Sequence, residues 1–289
     1  LWLWLCATTD VSHLDSATSG IPERMIAIFT PLWQEESVIR QMVTHNITAI
    51  RYRQFHFFIG AYPNDEPTVE AIRELEARFP NVHLALVPHD GPTSKADCLN
   101  WIYQQMLIQE EQSNQRFDAV VTHDAEDLIH PDSLRAINAH LGEYDMIQVP
   151  VLPLATGIGE WVHGVYIDEF SEFQARDLYV RTRLGGFLPS AGVGTAFSRR
   201  ALERLATCAE NRIFEPGCLT EDYENGFRIN HLGFKQILLP AGRAPVATRE
   251  YFPRTWKGAT KQRTRWVTGI VWQGLERHGW QGGVRQWWW

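Results

Sequence analysis

"AVVTHDAEDLIHPDSL", residues 119–134, joins an apolar run to a dense acidic one. Ala119, Val120 and Val121 read as a buried strand, and His123, Asp124, Glu126, Asp127 and His130 follow directly. Three carboxylates in four residues repel one another, so the stretch anticipates a counter-charge, either a metal or a bound partner. Pro131 then stands near the start of a helix. A strand that ends in a polar loop before a helix is the repeating unit of a parallel α/β sheet.

The flanking sequence repeats that unit. "MIAIFTP" (25–31), "FHFFIG" (55–60) and "VHLALVP" (82–88) are apolar runs of strand length. Between them, "ESVIRQMVTHNI" and "PNDEPTVEAIRELEARF" carry apolar residues at helical spacing, and "TSKADCLNWIYQQMLI" follows the third strand. "YDMIQVPVLP" is expected as a fifth strand. The alternation predicts an α/β fold, a mostly parallel sheet flanked by helices. Ligands of such sheets sit beyond the carboxyl ends of the strands. Glu35, Asp65, Lys95 and the 124–127 carboxylates all fall there and therefore share one edge. The second half is less regular. "WVHGVYIDEFSEFQARDLYVRTRLG" predicts one long amphipathic helix, and "GGFLPSAGVGTAFSRRAL" a Gly-rich loop with a helix from Ser198. "LTEDYENGFRINHLGFKQILLP" predicts a helix capped by Thr220, a stop at Gly233 and a strand.

The chain of 289 residues carries a net charge of −7, which argues against general nucleic-acid binding. Its four cysteines are widely spaced with no CxxC pair, so neither a zinc site nor a disulfide framework is indicated. Residues 256–289 are different: seven of the twelve tryptophans lie there, with six Lys/Arg against one acid. That composition suits a membrane interface or a packed helix with a basic face. No apolar run is long enough to span a bilayer, but "LWLWLCA" at the start suits the remnant of a membrane-proximal segment. The expected organisation is residues 1–24 as that segment, 25–255 as the α/β domain, and 256–289 as the Trp-rich basic segment.

Taken singly, the polar clusters are ambiguous. Asp124-Ala125-Glu126-Asp127 reads as a Mg²⁺-diphosphate clamp or as a solvated acidic turn before a helix. Thr220-Glu221-Asp222 offers a general base or a capping group. "QRTRW" (262–266) offers guanidinium groups for phosphate and an indole for a sugar ring, or a basic helix face. Lys95 and Asn100 alone are ordinary solvated helix residues, His123 and His130 supporting or surface groups, and the cysteines core.

In order and spacing, however, "IFTPLWQEE", "SKADCLN", "HDAED", "GVGTAF", "TEDYENGFRINHLGFK" and "QRTRW" resemble the processive family-two glycosyltransferases, over roughly residues 25 to 275. These are the cellulose, hyaluronan and poly-N-acetylglucosamine synthases. "GAYPND" with "ERHGWQGG" is similar, more closely, to the phage-adsorption protein B group of bacterial inner-membrane glycosyltransferases. The resemblance implies a GT-A-like (Rossmann-like) fold and inverting transfer of a sugar, an N-acetylhexosamine, from a UDP-sugar to a growing exopolysaccharide, with Mg²⁺ or Mn²⁺. It places Pro31, Glu35 and Asp65 at the nucleotide, Lys95 near the donor, and Asp124 with Glu126 on the D-x-D motif that holds donor and metal. Because Glu126 replaces the usual Asp and Asp127 follows it, the resemblance leaves both as candidates for the second metal ligand. Asp222 becomes the base, with Glu221 beside it. Gln262, Arg265 and Trp266 bind diphosphate and acceptor end, and Gly194 and Thr195 lie along the acceptor path. It further implies a location at the inner membrane, catalytic domain on the cytoplasmic side, and an outer-membrane export partner; no cyclic di-GMP-sensing domain is visible in the chain. The alternatives are a nucleotidyltransferase on a similar sheet, a glycoside hydrolase with two carboxylates, or a degenerate enzyme serving as a phage receptor or scaffold.

Overall fold

The computed structural model describes residues 20–157, 159–240, 246–250 and 252–279. The apolar N-terminal stretch and the final tryptophans of the sequence lie outside these residues. Five units in succession follow the expected alternation: β1 Ile26–Pro31, α1 Glu36–Ala49, β2 Phe55–Ala61, α2 Glu66–Arg78, β3 Val82–Leu86, α3 Lys95–Ser113, β4 Ala119–Thr122, α4 Ser133–His140 and β5 Met146–Gln148. After β6 Val151–Pro153 come α5 Trp161–Glu172, a π-helical segment Phe173–Asp177, and α6 Leu178–Arg183. Then follow β7 Thr195–Ser198, α7 Arg199–Cys208, α8 Glu221–His231, β8 Gln236–Leu238 and β9 Thr248–Glu250. The described chain ends in α9 Trp256–Val267, a π-helical segment Thr268–Gln273 and α10 Gly274–His278.

Seven strands form one sheet in the order β3-β2-β1-β4-β7-β5-β8. All neighbours run parallel except β7, which is antiparallel to both β4 and β5. The sheet is mostly parallel, as expected, and its central strands are apolar on both faces because helices cover both. Ile26, Ile28, Phe57 and Ile59 face the layer of α1, α2 and α4. Ala27, Phe29, Phe58 and Phe197 face the layer of α3, α7 and α8. A third, small cluster of Tyr166, Phe252 and Ala259, with Phe170 and Trp266 packed on it, joins α5 to α9. Among the described residues, no helix is long and apolar enough to cross a membrane.

Several elements differ from expectation. "YDMIQVPVLP" is two strands: β5 joins the main sheet, while β6 pairs with β9 in a separate two-stranded sheet. The 161–183 helix is interrupted by its π-helical segment, a register change that no apolar periodicity announces. "TAFS", within the expected Gly-rich loop, is the antiparallel strand β7. Thr220 precedes α8 as expected but makes no capping hydrogen bond. Cys98 and Cys218 are buried, whereas Cys208 is exposed.

Candidate active site

The antiparallel β7 builds the site. Register pairs Thr122 with Thr195, and the Gly194 N–H donates to the Thr122 carbonyl (2.8 Å), so the Gly-rich approach to β7 lies beside the acidic loop that leaves β4. Gly194 and Thr195 are buried there. The Thr195 hydroxyl meets Gln148 Oε1 at 2.7 Å and Ser190 Oγ at 2.9 Å, which makes it a support beneath the edge rather than a wall of an open cleft.

On the β4 side, Lys95 at the start of α3 forms an ion pair with Asp124 (Nζ to Oδ1, 2.5 Å). Burial would lower the Lys95 ammonium, but Asp124, Glu221 and Asp222 outweigh it and raise its pKa. Lys95 is thus the electrostatic hub between the two acidic motifs, about a hundred residues apart in sequence. Glu35 is raised by partial burial and by Glu36, Asp124 and Asp65. Glu126, though exposed to solvent, has its carboxyl raised by surrounding protein and by Asp124, Asp127 and Glu35. Asp65 is buried and accepts from the Gln34 N–H (2.6 Å), and Thr68 accepts from the Glu35 N–H (3.2 Å). These bonds hold the loop after Pro31 in place. Asp127 is wholly buried, with Oδ2 at 2.8 Å from His123 Nδ1 and accepting from the Asp124 N–H at 3.0 Å.

On the α8 side, Asp222 Oδ1 accepts from the Tyr223 N–H (2.7 Å). Burial raises the Asp222 carboxyl, and Lys95 and Arg265 oppose that rise. Burial and Asp222 push its neighbour Glu221 up to about 7. Gly192 adopts φ +80°, and a Cβ there would collide with Asp222 Oδ2, so glycine is required for the close approach. The C-terminal segment braces the same helix. A Cβ on Gly269 would stand 2.5 Å from Thr220 Oγ1, the Leu219 N–H donates to Gln273 (2.9 Å), and His278 meets Glu224 at 2.8 Å.

Beside Asp222 lies a cavity of about 240 Å³ lined by Phe170, Phe173, Gln174, Tyr223 and Trp266 among others. That is below the roughly 300–1,000 Å³ of drug-sized pockets and suits a single sugar ring. Of "QRTRW", Trp266 lines this cavity and packs on Phe170, with ring centroids 5.7 Å apart. Arg265 is exposed yet close enough to act on Glu221 and Asp222. Gln262 is half-buried, and its Oε1 has no partner. Arg263 pairs with Glu169 (Nη1 to Oε1, 2.9 Å) and lies 4.8 Å over the Tyr166 ring, fastening α9 to α5. Sequence reasoning missed Phe170, Phe173 and Gln174, since they sit around the π-helical segment. Asn100, expected as a solvated helix residue, is instead buried and bonds Ile213 and Phe214 backbone atoms at 2.9 Å.

The donor set suits a hard divalent cation. Burial, and then the neighbouring carboxylates including Asp124, raise the proton affinity of Glu35 and Glu126, as expected of acids gathered without a full counter-charge. Among the described residues no three His, Cys, Asp or Glu side chains form a ready-made cage. An ion of the Mg²⁺ type takes one or two carboxylates and completes its shell with phosphate oxygens and water, so a partial set is what it requires.

Comparison with known proteins agrees with this geometry. The family model described as "Glycosyltransferase like family 2" matches residues 22–269. Bacteriophage adsorption protein B of Escherichia coli K12 is 41% identical over 287 aligned positions, covering 91% of this chain and 38% of that protein. Bacteriophage N4 adsorption protein B of E. coli O157:H7 gives the same values, so the chain spans 38% of the length of either relative. A mannosyltransferase from Pyrobaculum calidifontis, solved with GDP-Man and Mn²⁺, superposes with a TM-score of 0.63 at 18% identity, over 90% of this chain and 66% of that one. Glucosyl-3-phosphoglycerate synthase from Mycobacterium tuberculosis, solved with Mn²⁺, UDP and its product, gives 0.52 at 17% identity over 96% and 86%. At such identities the structures speak for the fold alone, which is GT-A. With the family model spanning both acidic motifs and reaching into the π-helical segment that braces Thr220, the chain belongs to glycosyltransferase-like family 2.

Proposed function

We propose that this chain is the catalytic domain of an inverting, metal-dependent glycosyltransferase that extends an exopolysaccharide from a UDP-N-acetylhexosamine. The observation that carries the reading is Lys95: it pairs with Asp124 on one side and acts on Glu221 and Asp222 on the other. The donor-side carboxylates and the base thereby share one field. The diphosphate lies at the carboxyl edge, near Pro31, Glu35, Asp124 and Lys95, with Asp65 holding the loop. Mg²⁺ or Mn²⁺, held by Asp124 with Glu126 or Asp127, supplies positive charge against that diphosphate. Arg265 adds fixed positive charge on the other flank, with Gln262 beside it.

The acceptor's terminal sugar occupies the cavity beside Asp222, stacked on Trp266 and oriented for attack. Gly194 and Thr195 shape its path from below. Asp222 takes the proton of the attacking hydroxyl while the new C–O bond forms at the anomeric carbon. The bond to the diphosphate breaks on the opposite face, so configuration inverts and no sugar is attached to the protein. Glu221 remains a neighbour of the base and does not face the cavity. Trp256 and Trp272 are exposed, at 78% and 67%, beside the exposed Lys257 and Lys261. This supports placing residues 256–289 at a membrane interface, on the cytoplasmic side of the inner membrane, with export handled by an outer-membrane partner.

The test is a donor screen on the intact protein in its membranes, wild type against Asp222→Asn, reading nucleotide release with and without Mn²⁺ or Mg²⁺. Loss of a general base predicts a drop of about 10²–10⁴-fold. Metal-independent release, or equal release by Asp222→Asn, would overturn the reading. Release of pyrophosphate would identify a nucleotidyltransferase instead.

A further inference from the structure

We infer that His123, Asp127 and Asn46 form a buried latch that positions Asp124 and Glu126, and that Asp127 acts through them rather than as a metal ligand. The inference rests on reading the 124–127 loop as the donor-side clamp. His123 and Asp127 are both fully buried, whereas Asp124 is partly exposed and Glu126 exposed. The latch has three attachments. The His123 N–H donates to the Phe29 carbonyl of β1 at 2.9 Å, fixing where the loop leaves the sheet. Asp127 Oδ2 meets His123 Nδ1 at 2.8 Å and accepts from the Asp124 N–H at 3.0 Å, closing the loop on itself. Asn46, buried on α1, donates through Nδ2 to the Asp127 carbonyl and accepts through Oδ1 from the Ile129 N–H, both at 3.2 Å.

Chemistry separates the two roles. A metal ligand needs a lone pair facing the donor phosphates. Both Asp127 oxygens face the interior: Oδ2 is engaged twice, and Oδ1, like His123 Nε2, is enclosed without a protein partner. Turning Asp127 outward would break both Oδ2 bonds and strand His123 Nδ1 in a buried position. A polar pair buried with incomplete satisfaction contributes little to folding by itself. Its consequence is geometric: the Asp124 N–H is held, so the Asp124 side chain and that of Glu126, two residues on, leave the turn toward Lys95 and Glu35. Groups that orient metal ligands typically change metal affinity about 10–100-fold when removed.

The experiment measures Mn²⁺ affinity in the presence of UDP, by the electron paramagnetic resonance signal of free Mn²⁺, on the intact protein, with melting temperature recorded for each variant. Glu126→Gln removes a ligand charge and is expected to weaken Mn²⁺ at least about tenfold without a fall in melting temperature. Asp127→Asn keeps an oxygen to accept from the Asp124 N–H and is expected to stay within about threefold of wild type. Asp127→Ala and His123→Ala are expected to weaken Mn²⁺ about tenfold. His123→Asn places an amide N–H near the Nδ1 position and is expected to recover most of that loss, a rescue that a mere packing role would not show. If Asp127→Asn is as damaging as Glu126→Gln, Asp127 is a ligand and the latch is wrong. If Asp127→Ala and His123→Ala fold and leave Mn²⁺ affinity unchanged, the latch is equally wrong. The Asp127→Asn comparison decides even where the alanine variants fail to fold. Wild type that binds no Mn²⁺ with UDP would instead overturn the donor-site reading on which the latch depends.

Discussion

Gly192→Ala isolates the contact that aims the proposed base. The backbone there sits at φ +80°, and the new Cβ would overlap Asp222 Oδ2. Two effects follow and can be separated. The left-handed conformation costs an alanine about 1–2 kcal/mol, which for a domain of this size lowers the melting temperature by roughly 2–8 °C. In addition, the carboxylate must retreat by on the order of 1 Å to restore an ordinary contact, and a displacement of that size costs about 10²-fold in rate. Gly233→Ala is the matched control: φ is +79°, and a Cβ there meets nothing within 4 Å. It should lose the same stability and keep its turnover. The assay is nucleotide release with the active donor, alongside thermal melts of both variants. If Gly192→Ala melts like Gly233→Ala and turns over equally well, the Asp222 oxygen is not the reacting base and the site must be rebuilt around another group.

Glu221 makes stability depend on pH. Its carboxyl sits at about 7 in the folded protein against 4.5 as an ordinary glutamate, so between those values the folded chain keeps a proton that the unfolded chain has lost. Stability therefore falls as pH rises through that window, by at most about 3 kcal/mol, and levels off above it. Glu221→Gln should flatten the melting temperature between pH 5 and 8, and an unchanged slope in the variant would refute this. Gln174 is buried at the cavity with its Oε1 unpartnered. Gln174→Met keeps its length and removes the amide, and should raise the acceptor KM about tenfold, one hydrogen bond's worth, with the donor KM unchanged. An unchanged acceptor KM would remove Gln174 from the sugar site.

Much of the molecule was legible beforehand, and for identifiable reasons. Strands buried on both faces, such as β1 and β2, must be apolar throughout, and the helices between them must carry one apolar stripe, so both signals are local. Polar residues that follow such strands have only one edge of the sheet to occupy. That is why the order of strands and helices alone places Glu35, Asp65, Lys95 and Asp124 at one edge, where Lys95 pairs with Asp124 and Asp65 with the Gln34 N–H. Asn100 reads differently in sequence and in structure because burial depends on what packs above it, and the same dependence decides that His123 supports the loop from inside rather than lying at the surface. Asn100 passes for a solvated helix residue until the 213–214 segment is laid across it.

The sequence by itself determined the alternation, the mostly parallel sheet, the edge that carries the acidic motifs, and the motif order that marks the family. Tertiary structure alone decided how the distant motifs meet. The antiparallel entry of β7 brings Gly192 against Asp222 and the acidic loop against α8, and sequence periodicity carries no information on strand direction. The hold of Asn46 on the Asp127 and Ile129 backbone, the grip of Asn100 on residues 213–214 and the brace of Gly269 on Thr220 are contacts between segments far apart along the chain. Each depends on which surfaces exclude water together, a property of the packed molecule that no single stretch contains.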